Sequence, residues 1–155
     1  MTPPFRRVLV ANRGEIACRV MATLRRLGIE SVAVFSDADR ASAHVAAADH
    51  AVALGGEAAT DSYLRADLVV QAALDTGAEA VHPGYGFLSE SADFARRVEA
   101  AGLVFMGPTP DQIEAFGDKD GARRLAAAAG VPLRPGSGVL ASLEEAAAVA
   151  ARLGY

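Results

Sequence analysis

The chain of 155 residues contains one cysteine, one lysine and three histidines, and only 6% of it is aromatic. The single cysteine, Cys18, excludes an internal disulfide framework and a metal site built on a cysteine cluster, and it fits a reducing compartment. With a net charge of -4 there is no basic footprint of the kind nucleic-acid binders carry, so no nucleic-acid partner is expected. Long apolar runs are missing too. The first run, in MTPPFRRVLVANRGE, is interrupted by Asn12, Arg13 and Glu15, which leaves it too short for a signal-peptide core or a membrane span. The expectation is a cytoplasmic domain with no membrane partner. The G-x-G-x-x-G fingerprint is absent, which argues against a dinucleotide site. His44 and His50 stand in an alanine-rich stretch with no matching Cys or Glu pattern, so no metal site is expected there.

Alanine is abundant, at roughly a fifth of the chain, and favours short, closely packed helices. The 52% hydrophobic and 22% charged shares are ordinary globular usage, and the length suits one domain with a real core. RRVLVA at 6–11 is apolar without alternation, as in a strand buried on both faces of a parallel sheet. Ile16, Val20, Leu24 and Leu27 then recur at helical spacing and predict an inward stripe, with Gly28 as the stop. SVAVFS (31–36), AVAL (51–54), AEAVHP (78–83) and LVFMG (103–107) predict four more strands. A polar loop with a short helix is expected after the second strand. Asp61 or Ser62 is predicted to cap a helix running to Thr76. SESADFARRVEAAG predicts a helix with Phe94 and Val98 inward. TPDQ (109–112) and SLEE (142–145) read as capping boxes, and Asp118 as the cap of a helix ending at Gly130. The alternation predicts an α/β, doubly wound, mainly parallel sheet flanked by helices. Residues 1–130 are expected to form one module and 131–155 a linker and helix leading onward. A strand is expected to follow Tyr155, so the sequence reads as a piece of a longer protein.

Open parallel sheets bind ligands outside the carboxyl ends of their strands. Three segments are predicted to lie there. In ANRGEIA, Asn12 is a candidate helix cap, Gly14 allows close backbone approach and Arg13 offers a fork for an anion, although a plain strand-to-helix turn explains the same residues. In HPGYGFLSE, Gly84 and Gly86 permit unusual backbone geometry, Tyr85 brings a hydroxyl and Glu90 an acceptor. His82 reads as a locally hydrogen-bonded structural histidine rather than a base, and Phe87 as packing or interface. In FGDKDGARR, Lys119 is the only lysine in a chain that otherwise uses arginine. A compact ammonium beside a helix N-terminus suits a phosphate; a solvated pair with Asp118 or Asp120 is the plainer alternative. Cys18 reads as a small packing residue, and Glu144 with Glu145 as complements to a helix dipole.

VANRGEIACRV, HPGYGFLSES and FGDKDGAR, in this order and spacing, resemble the N-terminal domain of biotin carboxylase. SDADR at 36–40, H-x-x-x-A-D at 44–49, SYL at 62–64 and GVP…PGS at 130–137 agree, and the resemblance runs from about Arg7 to the end. It implies a Rossmann-like domain preceding an ATP-grasp domain. It further implies an enzyme that uses ATP, Mg2+ and bicarbonate, through carboxyphosphate, to carboxylate biotin on a carrier protein or domain. A carboxyltransferase then delivers the carboxyl group to acetyl-CoA, propionyl-CoA, pyruvate or urea, a choice these residues do not decide. By the resemblance, Lys119 contacts ATP phosphates. Tyr85 and Gly86 line the biotin site, with Gly84 and Glu90 in the same motif. Arg19 falls at a homodimer interface, where Phe87 is a further candidate, while Ala22 replaces a charged interface residue of some members. The family's catalytic and metal-binding residues are expected outside this sequence, so the chain alone is expected to be inactive. Two other readings stay open: the N-terminal domain of another ATP-grasp ligase, and a binding or dimerisation module without chemistry.

Overall fold

The computed structural model describes residues 3–154, and the strand expected after Tyr155 lies outside them. The chain divides between Ile113 and Glu114 into two units. In the first, β1 (Arg7–Val10), β2 (Glu30–Phe35), β3 (His50–Ala53), β4 (Ala80–His82) and β5 (Val104–Phe105) form one sheet in the order β3-β2-β1-β4-β5. Every pairing is parallel. The unbroken apolar run of β1 has its predicted meaning: alternate residues enter different cores. Leu9 joins Val32, Val34 and Val81 on one sheet face, under helices α3 (Ala66–Asp75) and α4 (Ala92–Ala100). Val8 and Val10 join Ala33 and Ala80 on the other, under α1 (Gly14–Arg26). Helices on both faces make the sheet doubly wound, as expected.

Helix α1 corrects the predicted stripe. Leu24 is buried as expected, but its buried companions are Ala17 and Met21, whereas Ile16 and Val20 are half-buried and Leu27 is 58% exposed. Small alanine and flexible methionine fit the close approach of α1 to the sheet, so the bulkier aliphatics are turned to the rim. Helix α3 begins later than predicted, after Arg65 and without a side-chain cap. Asp61 ends a 3-10 turn, and the Ser62 hydroxyl is spent on the Ala58 carbonyl, 2.7 Å away. Ser91 does cap α4, accepting from the Phe94 amide, and Phe94 and Val98 are fully buried.

Helix α5 (Pro110–Gly117) carries a complete capping box. The Thr109 amide donates to the Gln112 side chain at 2.9 Å, and the Gln112 amide donates to the Thr109 hydroxyl. In the second unit, Asp118 caps α6 (Lys119–Ala128) by accepting from the Asp120 and Gly121 amides. Residues 131–141 have no regular structure, and Ser142 caps α7 (Leu143–Leu153). The return half of that box differs from the prediction: the Glu145 carboxylate accepts from the amide of Ala141, one residue before the cap.

Candidate functional site at the switch point of the sheet

From β1 the chain winds outward through β2 and β3, then crosses through α3 to β4 on the other side of β1. The carboxyl ends of β1 and β4 therefore diverge at a topological switch point, where doubly wound sheets open a ligand crevice. The β1–α1 turn and the 82–90 loop face each other there. They line a crevice of about 380 Å3 that includes Asn12, Arg13, Ile16, Tyr85, Gly86 and Phe87.

Asn12 does not cap α1. The cap position falls to Arg13, whose side chain makes no cap bond. Asn12 is only 3% exposed, and its amide donates to the carbonyls of Pro83 (2.9 Å) and Tyr85 (2.8 Å). Its own side-chain oxygen accepts from the Arg13 amide at 2.9 Å. A buried amide with its polar atoms partnered holds a fixed orientation, and here it ties one loop to the other. Gly84 is packed against it, with φ of 68°.

Beyond Gly84 the loop turns outward at Tyr85 and Gly86 and back toward the core at Phe87 and Leu88. Tyr85 is 65% exposed. Gly86 has φ of 68°, and a Cβ built there would meet nothing within 4 Å. Phe87 takes φ of 46°, the one positive value outside glycine among the described residues. Its ring stacks on Tyr63 at 5.0 Å and 12°, and it packs against the larger core. Glu90 is exposed at the end of the loop. His82 has the local role expected of it: its Nδ1 accepts from the Gly84 amide at 3.0 Å. Burial lowers its pKa, which keeps the ring neutral.

Arg13 is exposed at the crevice and has partners of its own. It pairs with Asp39 at 3.4 Å and lies over the Tyr63 ring at 6.0 Å. Burial alone would raise the Asp39 pKa. Hydrogen bonds from Tyr63 and Ser42, the Arg13 charge and a bond from Ser36 outweigh it, so the carboxyl sits below its ordinary value. Desolvation raises the Tyr63 phenol in turn. Sequence reasoning met SDADR and SYL only as points of resemblance. Their place beside the 82–90 loop follows from the sheet order, which no local pattern encodes.

Arg19 is exposed on α1 and borders an apolar groove of about 380 Å3 with Val20, Leu27 and Met106. Lys119 is exposed in the second unit, at the first position of α6. Cys18 is a half-buried free thiol. No group of three His, Cys, Asp or Glu side chains among the described residues could hold a metal ion. None of the described helices is long and apolar enough to cross a membrane. A larger cavity, about 520 Å3, lies at the amino ends of the strands. Its cations are consumed by structure: Arg6 pairs with Glu79, and Arg7 pairs with Glu30 and donates to the Thr76 carbonyl at the end of α3.

The family model described as "Biotin carboxylase, N-terminal domain" matches residues 4–113. The chain belongs to that family. Methylcrotonoyl-CoA carboxylase subunit alpha, mitochondrial, of Oryza sativa subsp. japonica is 65% identical over 130 residues, which are 84% of this chain and 18% of the rice protein. Biotin carboxylase 1 of Bacillus subtilis is 48% identical over 152 residues, 97% of this chain and 34% of that protein. The biotin carboxylase domain dimer of Hydrogenobacter thermophilus 2-oxoglutarate carboxylase, solved with MgADP, ADP and bicarbonate, superposes with a TM-score of 0.86 at 47% identity. That match covers 97% of this chain and 33% of the solved one. The chain thus spans between 8% and 34% of the length of the curated relatives it matches.

Proposed function

We propose that this chain supplies one wall of the biotin site of an ATP-dependent biotin carboxylase. The observation that carries the reading is the 84–87 loop at the switch point. Asn12 holds its base rigid, while Tyr85 is exposed and Gly86 is bare. A flat ureido ring suits an open backbone flanked by aromatic faces and a phenol. Gly84 belongs to the scaffold of this wall, and Glu90 lies at its edge without an assigned chemical role. ATP and bicarbonate are the proposed co-substrates, as in the Hydrogenobacter relative. Lys119, a compact cation at the start of α6, is the proposed contact to ATP phosphates. No residue of this chain is assigned to catalysis or to Mg2+; those groups are proposed to lie in the rest of the enzyme, and the chain alone is proposed to release no phosphate from ATP.

The proposed partners are a biotin carboxyl carrier protein or domain, a carboxyltransferase and a second copy of the module. The outer face of α1 at Arg19, with Phe87 as a second candidate, is the proposed homodimer contact. The proposed organisation is a module to Gly130, where φ of 71° ends α6, with 131–155 leading into an ATP-grasp domain. The proposed compartment is the cytoplasm. The final acceptor is left open, and the rice relative adds methylcrotonoyl-CoA to the acyl-CoA candidates.

The test is phosphate release from ATP by the full-length carboxylase, with bicarbonate and free biotin varied. Tyr85→Ala should raise the biotin KM on the order of tenfold, about 1.4 kcal/mol of lost contact, with the ATP KM unchanged. A wild-type biotin KM in that variant would remove the biotin assignment.

A further inference from the structure

Phe87 presents a physical problem. A bulky L-residue in the left-handed region persists only where its surroundings over-determine it. Phe87 packs against the larger core, and the ring stacked on it belongs to Tyr63, which is 4% exposed and acts at both ends. Its ring lies flat under Phe87 at 5.0 Å. Its hydroxyl donates to Asp39 at 2.7 Å and accepts the Ser36 amide at 3.2 Å. Asp39 is itself fixed by the hydroxyls of Ser42 (3.0 Å) and Ser36 (3.3 Å) and by Arg13. Arg13 and Phe87, the two ends of this chain of contacts, both line the crevice.

We propose that Tyr63, oriented by Asp39, is a positioning residue that holds Phe87 in its left-handed conformation and so presents Tyr85 and Gly86 to the biotin ring. Asn12 fixes the loop at Pro83 and Tyr85, and Tyr63 fixes it at Phe87; Gly86, which could adopt many conformations on its own, is left between two anchors. Tyr63 touches no reacting atom. Its effect passes through the loop, whose displacement weakens the contacts offered to the ring. The proposal rests on the biotin reading of the loop, and the test separates the two.

The experiment uses the full-length carboxylase and two variants. Tyr63→Phe keeps the stacked ring and removes the tether to Asp39. Asp39→Asn leaves Tyr63 intact and weakens the same tether, which preserves a test if the first variant folds poorly. Both should speed amide hydrogen exchange across 84–89. Both should raise the biotin KM several-fold, with Tyr63→Phe the larger, while kcat and the ATP KM stay within about twofold of wild type. Tyr85→Ala is run alongside. If it raises the biotin KM but the tether variants change only Tm, Tyr63 is a structural residue and the proposal fails while the biotin reading stands. Unchanged exchange across 84–89 also overturns it. If exchange rises but neither Tyr85→Ala nor Tyr63→Phe moves the biotin KM, the biotin reading fails and takes the proposal with it.

Discussion

A Cβ on Gly84 would lie 2.6 Å from the amide nitrogen of Asn12 and 2.9 Å from its Cβ and Cγ. Asn12 is fully engaged with the loop and has no room to retreat, so Gly84→Ala meets both a steric clash and a left-handed backbone. Gly86 has the same φ of 68° with nothing around it. The expected costs are about 3 kcal/mol for Gly84→Ala, from overpacking plus backbone strain, and about 1 kcal/mol for Gly86→Ala, from strain alone. Urea unfolding of the two variants checks this; equal losses would mean that Asn12 does not press on Gly84.

Asn12 itself should tolerate no change of chemistry. Asn12→Ala removes two donations to loop carbonyls, the one to Pro83 buried, and should cost about 2–3 kcal/mol. Asn12→Asp should cost more, because a carboxylate would face the Pro83 and Tyr85 carbonyl oxygens with no proton to offer. In Asn12→Asp the loss should shrink as pH falls and the carboxyl protonates. Denaturant midpoints measured at pH 7 and pH 4.5 give the comparison, and an Asn12→Asp variant as stable as wild type at pH 7 would contradict the assigned bonds.

This pairing explains what was legible in the sequence. The unbroken apolarity of RRVLVA announced a strand buried on both faces, and the strand–helix alternation announced the doubly wound sheet. TPDQ and the Asp118 cap were readable because a cap is a contact between residues two or three apart. Asn12 was misread as a cap for the same reason: local grammar offers a helix start, whereas its actual partners lie more than 70 residues away. The inward face of α1 was legible at Leu24 alone: helical spacing of the large aliphatics points to Ile16, Val20 and Leu27, and the buried partners of Leu24 are instead Ala17 and Met21. The close approach of helix to sheet reverses that choice. Tyr63 and Asp39 carry no periodic signal at all; only the neighbouring positions of β3, β2, β1 and β4 bring their loops together.

The folded-state pKa of Asp39 lies below its ordinary 3.8, so the sign of its pH effect is set. Its stabilisation is fully present above the unfolded value and is lost as pH falls through the lower folded one. Wild type should therefore lose stability more steeply than Asp39→Asn below about pH 4, and the two should run parallel above pH 5. Thermal unfolding across pH 2.5 to 7 tests this, and parallel curves throughout would remove Asp39 from the network.

Lys119 should act on ATP and not on biotin. In the full-length enzyme, Lys119→Gln should raise the ATP KM about tenfold or more and leave the biotin KM alone, since the lost group is one charge-assisted contact to phosphate. Asp118→Ala, by contrast, should cost about 1 kcal/mol of stability by uncapping α6. An unchanged ATP KM in Lys119→Gln would return this lysine to the solvated surface.

The Asn12-anchored loop at the switch point is proposed to be a wall of the biotin site. The most direct measurement is a crystal structure of the full-length carboxylase soaked with biotin. The ureido ring should be seated against Tyr85 and Gly86, with the Asn12 bonds to Pro83 and Tyr85 intact. A ring bound elsewhere, with residues 84–87 left facing solvent, would contradict it.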